Sequence, residues 1–299
     1  MKGGGMDVSI IIRTYNEAEW LRAELDAISA QDVSGLDVEI VLVDSGSTDE
    51  TMSIAEEFGC RILHIRKEDF TFGRSLNVGC EGAAGKYLVI ISGHCLPIGK
   101  DWIKKLIRPL QDETCAYVYG RQVGHESITR FSEHQLFKKY FPEQSAIPQA
   151  GFFANNANSA LPKSVWAAHR FDETVTGLED MVLAKALVEE GQKIGYVADA
   201  VITHIHFESW SQVKTRYERE AVALQCIMPG VHVGFGDFLR YFFAGLMLDC
   251  GAALDQREFS KHFSSIFMFR LMQFWGAYRG NNDHRKLTKR RAEQYYYPR

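Results

Sequence analysis

The run Val8-Ser9-Ile10-Ile11-Ile12, leading straight into Arg13-Thr14-Tyr15-Asn16, decides the fold. A second run, residues 39–43, repeats its form and ends in Asp44-Ser45-Gly46-Ser47-Thr48-Asp49. Each is a short apolar strand that stops abruptly in polar, turn-forming residues, and an open α/β sheet builds its nucleotide crevice at such strand ends. Parallel strands bring their carboxyl ends to one side, so Thr14, Asn16 and Asp44 are expected around a single crevice. Taken alone, Asp44 reads either as a turn and helix cap or as a carboxylate accepting hydrogen bonds from a base or ribose.

Further strand readings fall at residues 61–65 and 87–91, all rich in Val, Ile and Leu. Between them the spacing predicts helices over 17–31, with Trp20, Leu21, Leu25 and Ile28 inward, over 49–58, and over 73–82. Strands this uniformly apolar suit a parallel sheet covered on both faces. The expected class is therefore α/β: a Rossmann-like, mostly parallel central sheet flanked by helices. Beyond Pro97 the rhythm loosens into a helix at 101–110, a strand at 115–119 and one amphipathic helix within 127–149. A helix at 179–190 and strands at 194–197 and 201–204 follow. Helices at 210–227, 235–254 and 263–275 make a C-terminal helical extension. The domain reading is a flexible leader (1–6), a catalytic domain (7–210), a helical region (211–283) and a basic tail (284–299), of which HRKLTKRR at 284–291 is expected to be exposed.

Composition narrows the function classes. With 46% hydrophobic and 24% charged residues and a formal net charge of −4, the chain has no general pull toward nucleic acid. Six widely spaced cysteines form no CxxC pair, which fits free thiols in a reducing, cytoplasmic compartment. The apolar stretch YFFAGLMLDCGAAL at 241–254 carries Asp249 and is shorter than the roughly 20 residues of a crossing helix. Peripheral contact with the inner face of a membrane stays open, as does self-association through the same helices. A dehydrogenase would need a glycine fingerprint after residues 8–12, and a nucleotidyltransferase a glycine- and Lys/Arg-rich phosphate loop there; RTYNEAE is neither.

Five segments together resemble family-2 glycosyltransferases of the GT-A fold. They are SIIIRTYNEAEWL (9–21), VLVDSGSTDET (41–51), FTFGRSLNVGCEGAAGKYLVIISGHCLP (70–97), NNANSALPKSVW (155–166) and GLEDMVLAKAL (177–187). Within that family the chain is similar to the branch containing bacterial rhamnosyltransferases that make surface polysaccharide. The resemblance implies an inverting transfer from a nucleoside-diphosphate sugar to a hydroxyl of a saccharide or lipid-linked acceptor. It also implies residue roles. Thr14 and Asp44 would line the base pocket, with Tyr15 and Asn16 supporting the loop, and Phe72, Arg74 and Asn77 would continue the donor wall toward Ser92 and His94. Asp180 would serve as catalytic base beside Glu179, with Asn156 and Asn158 on the acceptor side.

One departure from the family pattern stands out. Where the family carries a metal-binding aspartate after its fourth strand, this chain reads Ser92-Gly93-His94-Cys95-Leu96-Pro97. His94 could ligate Mn²⁺ or Mg²⁺, manganese being the better match for imidazole. Protonated, it could offset diphosphate charge without metal. The remaining alternative is a degenerate motif in a non-catalytic sugar-nucleotide-binding protein. His204 and His206 alternate in VITHIHF and are expected to point the same way; His204 is the better match for a second metal ligand. Asp180, in a helix first turn, is expected to have a low pKa from the local amides. Cys95 has no orienting third group and reads as a buried thiol.

Overall fold

The computed structural model describes residues 5–283 and 289–298. Residues 1–4 of the expected leader and 284–288 of the expected basic tail lie outside the described residues. Two compact units divide the chain. Met1–Val123, Phe141–Thr174 and Glu179–Ile205 form the first, and Gly124–Tyr140, Val175–Leu178 and His206–Arg299 the second.

The first unit opens with the expected alternation: β1 (Val8–Thr14), α1 (Ala18–Ser29), β2 (Val38–Asp44), α2 (Thr51–Glu57), β3 (Arg61–His64), α3 (Phe72–Gly82) and β4 (Tyr87–Ser92). Next come β5 (Cys95–Pro97), α4 (Trp102–Gln111) and β6 (Tyr117–Gly124), then, past α5 (Phe131–Tyr140) of the second unit, β7 (Asn158–Pro162), α6 (Lys163–Ala168), α7 (Glu179–Glu189) and β8 (Ile194–His204). The eight strands form one sheet in the order β3-β2-β1-β4-β7-β6-β8-β5. The half containing β3, β2, β1 and β4 is parallel, and β7 pairs antiparallel with both β4 and β6. Val8, Ile10, Ile11 and Ile12 are fully buried; each such side chain contributes about 1.5–3 kcal/mol relative to exposure. Their continuous apolar character thus follows from a strand covered on both faces.

After β1 the chain steps outward to β2 and β3 and then returns to the other side of β1 as β4. That reversal is a topological switch point, and it opens a crevice beyond the carboxyl ends of β1 and β4. Register places Thr14 opposite Asp44 and Arg13 opposite Ser92. The two short strands expected near residues 194–204 are one eleven-residue strand, because Ala198 and Ala200 continue the buried face while Asp199 points to solvent.

In the second unit α8 (Trp210–Ile227), α9 (Phe235–Asp255) and α10 (Phe259–Asn281) pack together, and α11 (Lys289–Tyr296) lies within the expected basic tail, with Tyr295 buried. Asp249 is buried on α9 in a two-pronged ion pair with Arg270 of α10, both contacts at 2.7 Å. Among the described residues no helix is long and apolar enough to cross a membrane.

Candidate active site

The first two strand ends are stitched into one wall. Asn16, with a positive φ of 56°, accepts from the Thr48 amide at 2.8 Å, while its own amide donates to Ser47 Oγ at 2.8 Å. Asn and Asp tolerate this left-handed backbone better than most residues, which explains an asparagine there. Asp44 is buried and accepts from the amides of Gly46 and Ser47 at 2.9 and 3.1 Å. The turn part of its reading is therefore realised, whereas the start of α2 is served by Asp49, which accepts from the Thr51 amide; Thr14 Oγ1 lies 3.5 Å from the Asp44 carboxylate. Tyr15 sits at the rim, its hydroxyl accepting from Lys67 at 2.9 Å.

α3 supplies the next wall. Phe72 lies under the Arg13 guanidinium at 5.2 Å, and Thr71 caps the helix by accepting from the Arg74 amide. At Gly73 an added Cβ would fall 2.2 Å from the Asp172 carbonyl oxygen, so only glycine allows this approach. Arg74 is exposed, with Glu173 at 3.9 Å. Asn77 corrects the expectation of a donor contact. It donates to the Phe171 carbonyl and to Glu173, and accepts from Trp166 Nε1 and the Phe171 amide. All four of its hydrogen-bonding positions are filled within the protein, so Asn77 clamps α3 to the 171–173 loop.

His94 follows β4 in a turn where Gly93 leaves room: an added Cβ would lie 3.0–3.1 Å from the Arg13 carbonyl, Glu17 and Thr14. His94 Nδ1 is 3.0 Å from Glu17 Oε1, and its Nε2 is 3.2 Å from Nε2 of His204, the last residue of β8. His204 Nδ1 in turn lies 2.7 Å from Gln122 Oε1. Sequence reasoning singled out both histidines but neither Glu17 nor Gln122, since a helix-start glutamate and a mid-strand glutamine carry no distinguishing signal. Cys95 is buried, and burial pushes its thiol well above the usual range, as an inert core residue requires.

The acidic pair opens α7. Glu179 lies 3.5 Å from Arg13, a charged residue near the end of β1 whose position in an apolar run carries no signal of its partner. Asp180 accepts from the amides of Asn156 at 2.9 Å and Met181 at 2.7 Å. The low pKa expected for Asp180 is corrected. Burial, aided by the neighbouring Glu179 charge, pushes its carboxyl up to about 7, outweighing the two amides and Arg13.

The two asparagines behave differently. Asn158 is fully buried, accepts from Trp102 Nε1 and donates to the Arg121 and Ala200 carbonyls. It ties strands together, which corrects its acceptor assignment. Asn156 accepts from Tyr117 and Ser159 through Oδ1, while its buried Nδ2 has no hydrogen-bond partner among the described residues. A buried donor left unmet costs about 1–3 kcal/mol.

In the second unit His206 takes a different partner from His204, lying 2.7 Å from Glu133. Glu133, His206 and Glu208 could hold an ion by proximity. Arg216, however, donates to Glu133 and Glu208 at 2.7 Å each and already supplies the positive charge.

Residues 9–167, more than half of the chain, match Glycosyl transferase family 2. The O-antigen chain rhamnosyltransferase RfbN of Salmonella typhimurium is 27% identical over 242 residues, covering 77% of this chain and 76% of that protein. WbaN of Salmonella anatum, also an O-antigen chain rhamnosyltransferase, is 26% identical over 243 residues, covering 76% and 75%. Among solved structures, the mannosyltransferase PcManGT from Pyrobaculum calidifontis, in complex with GDP-Man and Mn²⁺, superposes with a TM-score of 0.63 at 18% identity, covering 95% of this chain and 89% of that one.

Proposed function

Because the chain belongs to glycosyl transferase family 2 and is a nucleotide-sugar-dependent glycosyltransferase, we propose that it moves the sugar to a hydroxyl of a saccharide or lipid-linked acceptor with inversion at the anomeric carbon. The observation that carries this reading is the position of Asp180. It is a buried carboxyl pushed up to about 7, and it accepts from the backbone amide of Asn156. A base of that strength is matched to a hydroxyl that loses its proton late in the transition state. Asn156 Nδ2 would donate to a substrate hydroxyl, and Arg13 holds Glu179 beside the base.

On the donor side, Thr14, Tyr15, Asn16 and Asp44 would frame the base and ribose, and Phe72 and Arg74 the flank, with Arg74 offering its fork of donors to phosphate. Ser92, at the end of β4, and His94 would face the diphosphate. His94 and His204 fit a divalent ion: their Nε2 atoms are 3.2 Å apart, near the roughly 3.3 Å that two imidazoles at about 2.0–2.1 Å on a tetrahedral zinc-type ion would span. Imidazole favours Mn²⁺ over Mg²⁺, and PcManGT is solved with Mn²⁺. Such an ion, when bound, offsets charge on the departing diphosphate.

The test is the anomeric configuration of the product by NMR. Inversion is expected, and retention would refute the single-displacement reading. A second reading concerns α9, where Phe243, Met247, Leu248 and Leu254 are exposed. An apolar face of this kind supports peripheral membrane contact. Co-flotation with liposomes is expected, and protein confined to the soluble fraction would refute it.

A further inference from the structure

The hydrogen-bond network around the histidine pair has a direction that can be followed from a backbone amide. The Ala157 N–H can only donate, and it donates to Asn155 Oδ1 at 3.0 Å. That assigns the Asn155 amide, so the group reaching the same oxygen from Gln122 at 2.9 Å is the Nε2 donor. Gln122 therefore turns Oε1 toward His204 Nδ1 at 2.7 Å, and an amide oxygen only accepts, so His204 Nδ1 carries the hydrogen. On the other ring, Glu17 Oε1 stands 3.0 Å from His94 Nδ1 and assigns the hydrogen there. In each neutral ring the lone pair is then on Nε2, and these two atoms face each other at 3.2 Å.

We infer that Glu17 and Gln122 are positioning residues that hold His94 and His204 from behind, each fixing one imidazole as the Nδ1–H tautomer, so that both Nε2 lone pairs converge on one divalent cation. This rests on the metal reading proposed above and adds the two residues that prepare the site. A positive centre between the two Nε2 atoms is held by both lone pairs, and the partners behind the rings keep those lone pairs aimed at it. Glu17 is suited to the task by its place at the start of α1, where its own amide is tied to Thr51 Oγ1 at 2.8 Å. Gln122 is buried on β6, so its side chain has little freedom to turn away. Outer partners of metal-bound histidine orient the ring and raise its basicity in this manner.

The test uses the full chain without nucleotide and two readouts other than activity. Mn²⁺ uptake is measured by loss of the free-ion EPR signal for the native protein, Glu17→Ala, Glu17→Gln and Gln122→Met, with thermal unfolding as the check that each is folded. Glu17→Ala and Gln122→Met are expected to bind Mn²⁺ about 10–100-fold more weakly. Glu17→Gln, which keeps an acceptor oxygen, should recover most of the loss. Long-range ¹⁵N NMR of the Zn²⁺-loaded native protein should place the hydrogen on Nδ1 of both rings. Native-like Mn²⁺ affinity in both Glu17→Ala and Gln122→Met, or a hydrogen on Nε2 of either ring, would overturn the inference while leaving the metal site standing. A native protein that takes up neither Mn²⁺ nor Zn²⁺ would overturn the metal reading and this inference with it.

Discussion

Replacing Asp180 with asparagine should separate stability from activity, and with a pH dependence that can be worked out beforehand. The carboxyl is raised from 3.8 to about 7, first by burial and then by Glu179. That rise corresponds to a penalty of about 4 kcal/mol on the ionised form in the folded protein. Because the folded state holds the proton more tightly than the unfolded one, stability is highest below the unfolded value near 3.8 and falls as pH rises through about 7. Asparagine removes the penalty but offers one oxygen to the two amides, Asn156 and Met181, that the carboxylate serves. Leaving the other amide unmet costs about 1–3 kcal/mol. Asp180→Asn should therefore be more stable than native by about 1–3 kcal/mol above about pH 8 and less stable by a similar amount below about pH 4.5. Urea denaturation at the two pH values measures this. Release of nucleoside diphosphate in the presence of acceptor should fall by about 10²-fold or more. A stability difference of the same sign and size at both pH values would refute the burial argument, and near-native turnover would refute the base assignment.

Three further outcomes follow from the same reasoning. His94→Asp, which restores the carboxylate usual at this position, should shift metal dependence toward Mg²⁺, since an oxygen ligand suits the harder ion; an unchanged Mn²⁺-to-Mg²⁺ activity ratio would count against His94 as ligand. Glu24 is fully buried with neither carboxylate oxygen hydrogen-bonded, and burial pushes its pKa well up. Glu24→Met should raise stability by about 1–3 kcal/mol, the gain growing as pH rises above the unfolded carboxyl range, as urea titrations at several pH values would show. Asn77→Ala should lower stability by about 2–5 kcal/mol by leaving buried Trp166 and Phe171 donors unmet, while donor KM in the folded fraction stays within about twofold.

The parallel half of the sheet was legible because its strands are buried on both faces and must be apolar throughout, and because polar residues crowd their carboxyl ends. The two histidines were read from separate signals, His94 from a substitution in an otherwise matching segment and His204 from the alternating pair in VITHIHF. Other features depend on what a side chain meets across the fold. Asn77 and Asn158 resemble ligand-binding asparagines in sequence, yet each is consumed by bonds to residues as distant as Phe171 and Ala200. Helix position alone argues for a low Asp180 pKa, but burial decides the sign. Glu17 acquires its place only when the turn after β4 brings His94 to the start of α1, and Gln122 only when β8 brings His204 to β6.

Asp44 and the His94–His204 pair are proposed to serve the two ends of one donor nucleotide. Isothermal titration of UDP, dTDP and GDP with and without Mn²⁺ tests it most directly, comparing the native protein with Asp44→Ala and His94→Ala. The account predicts that at least one nucleotide binds in a Mn²⁺-dependent manner and that both substitutions weaken it, His94→Ala abolishing the Mn²⁺ dependence. Nucleotide binding that is indifferent to Mn²⁺ and to both substitutions would contradict it.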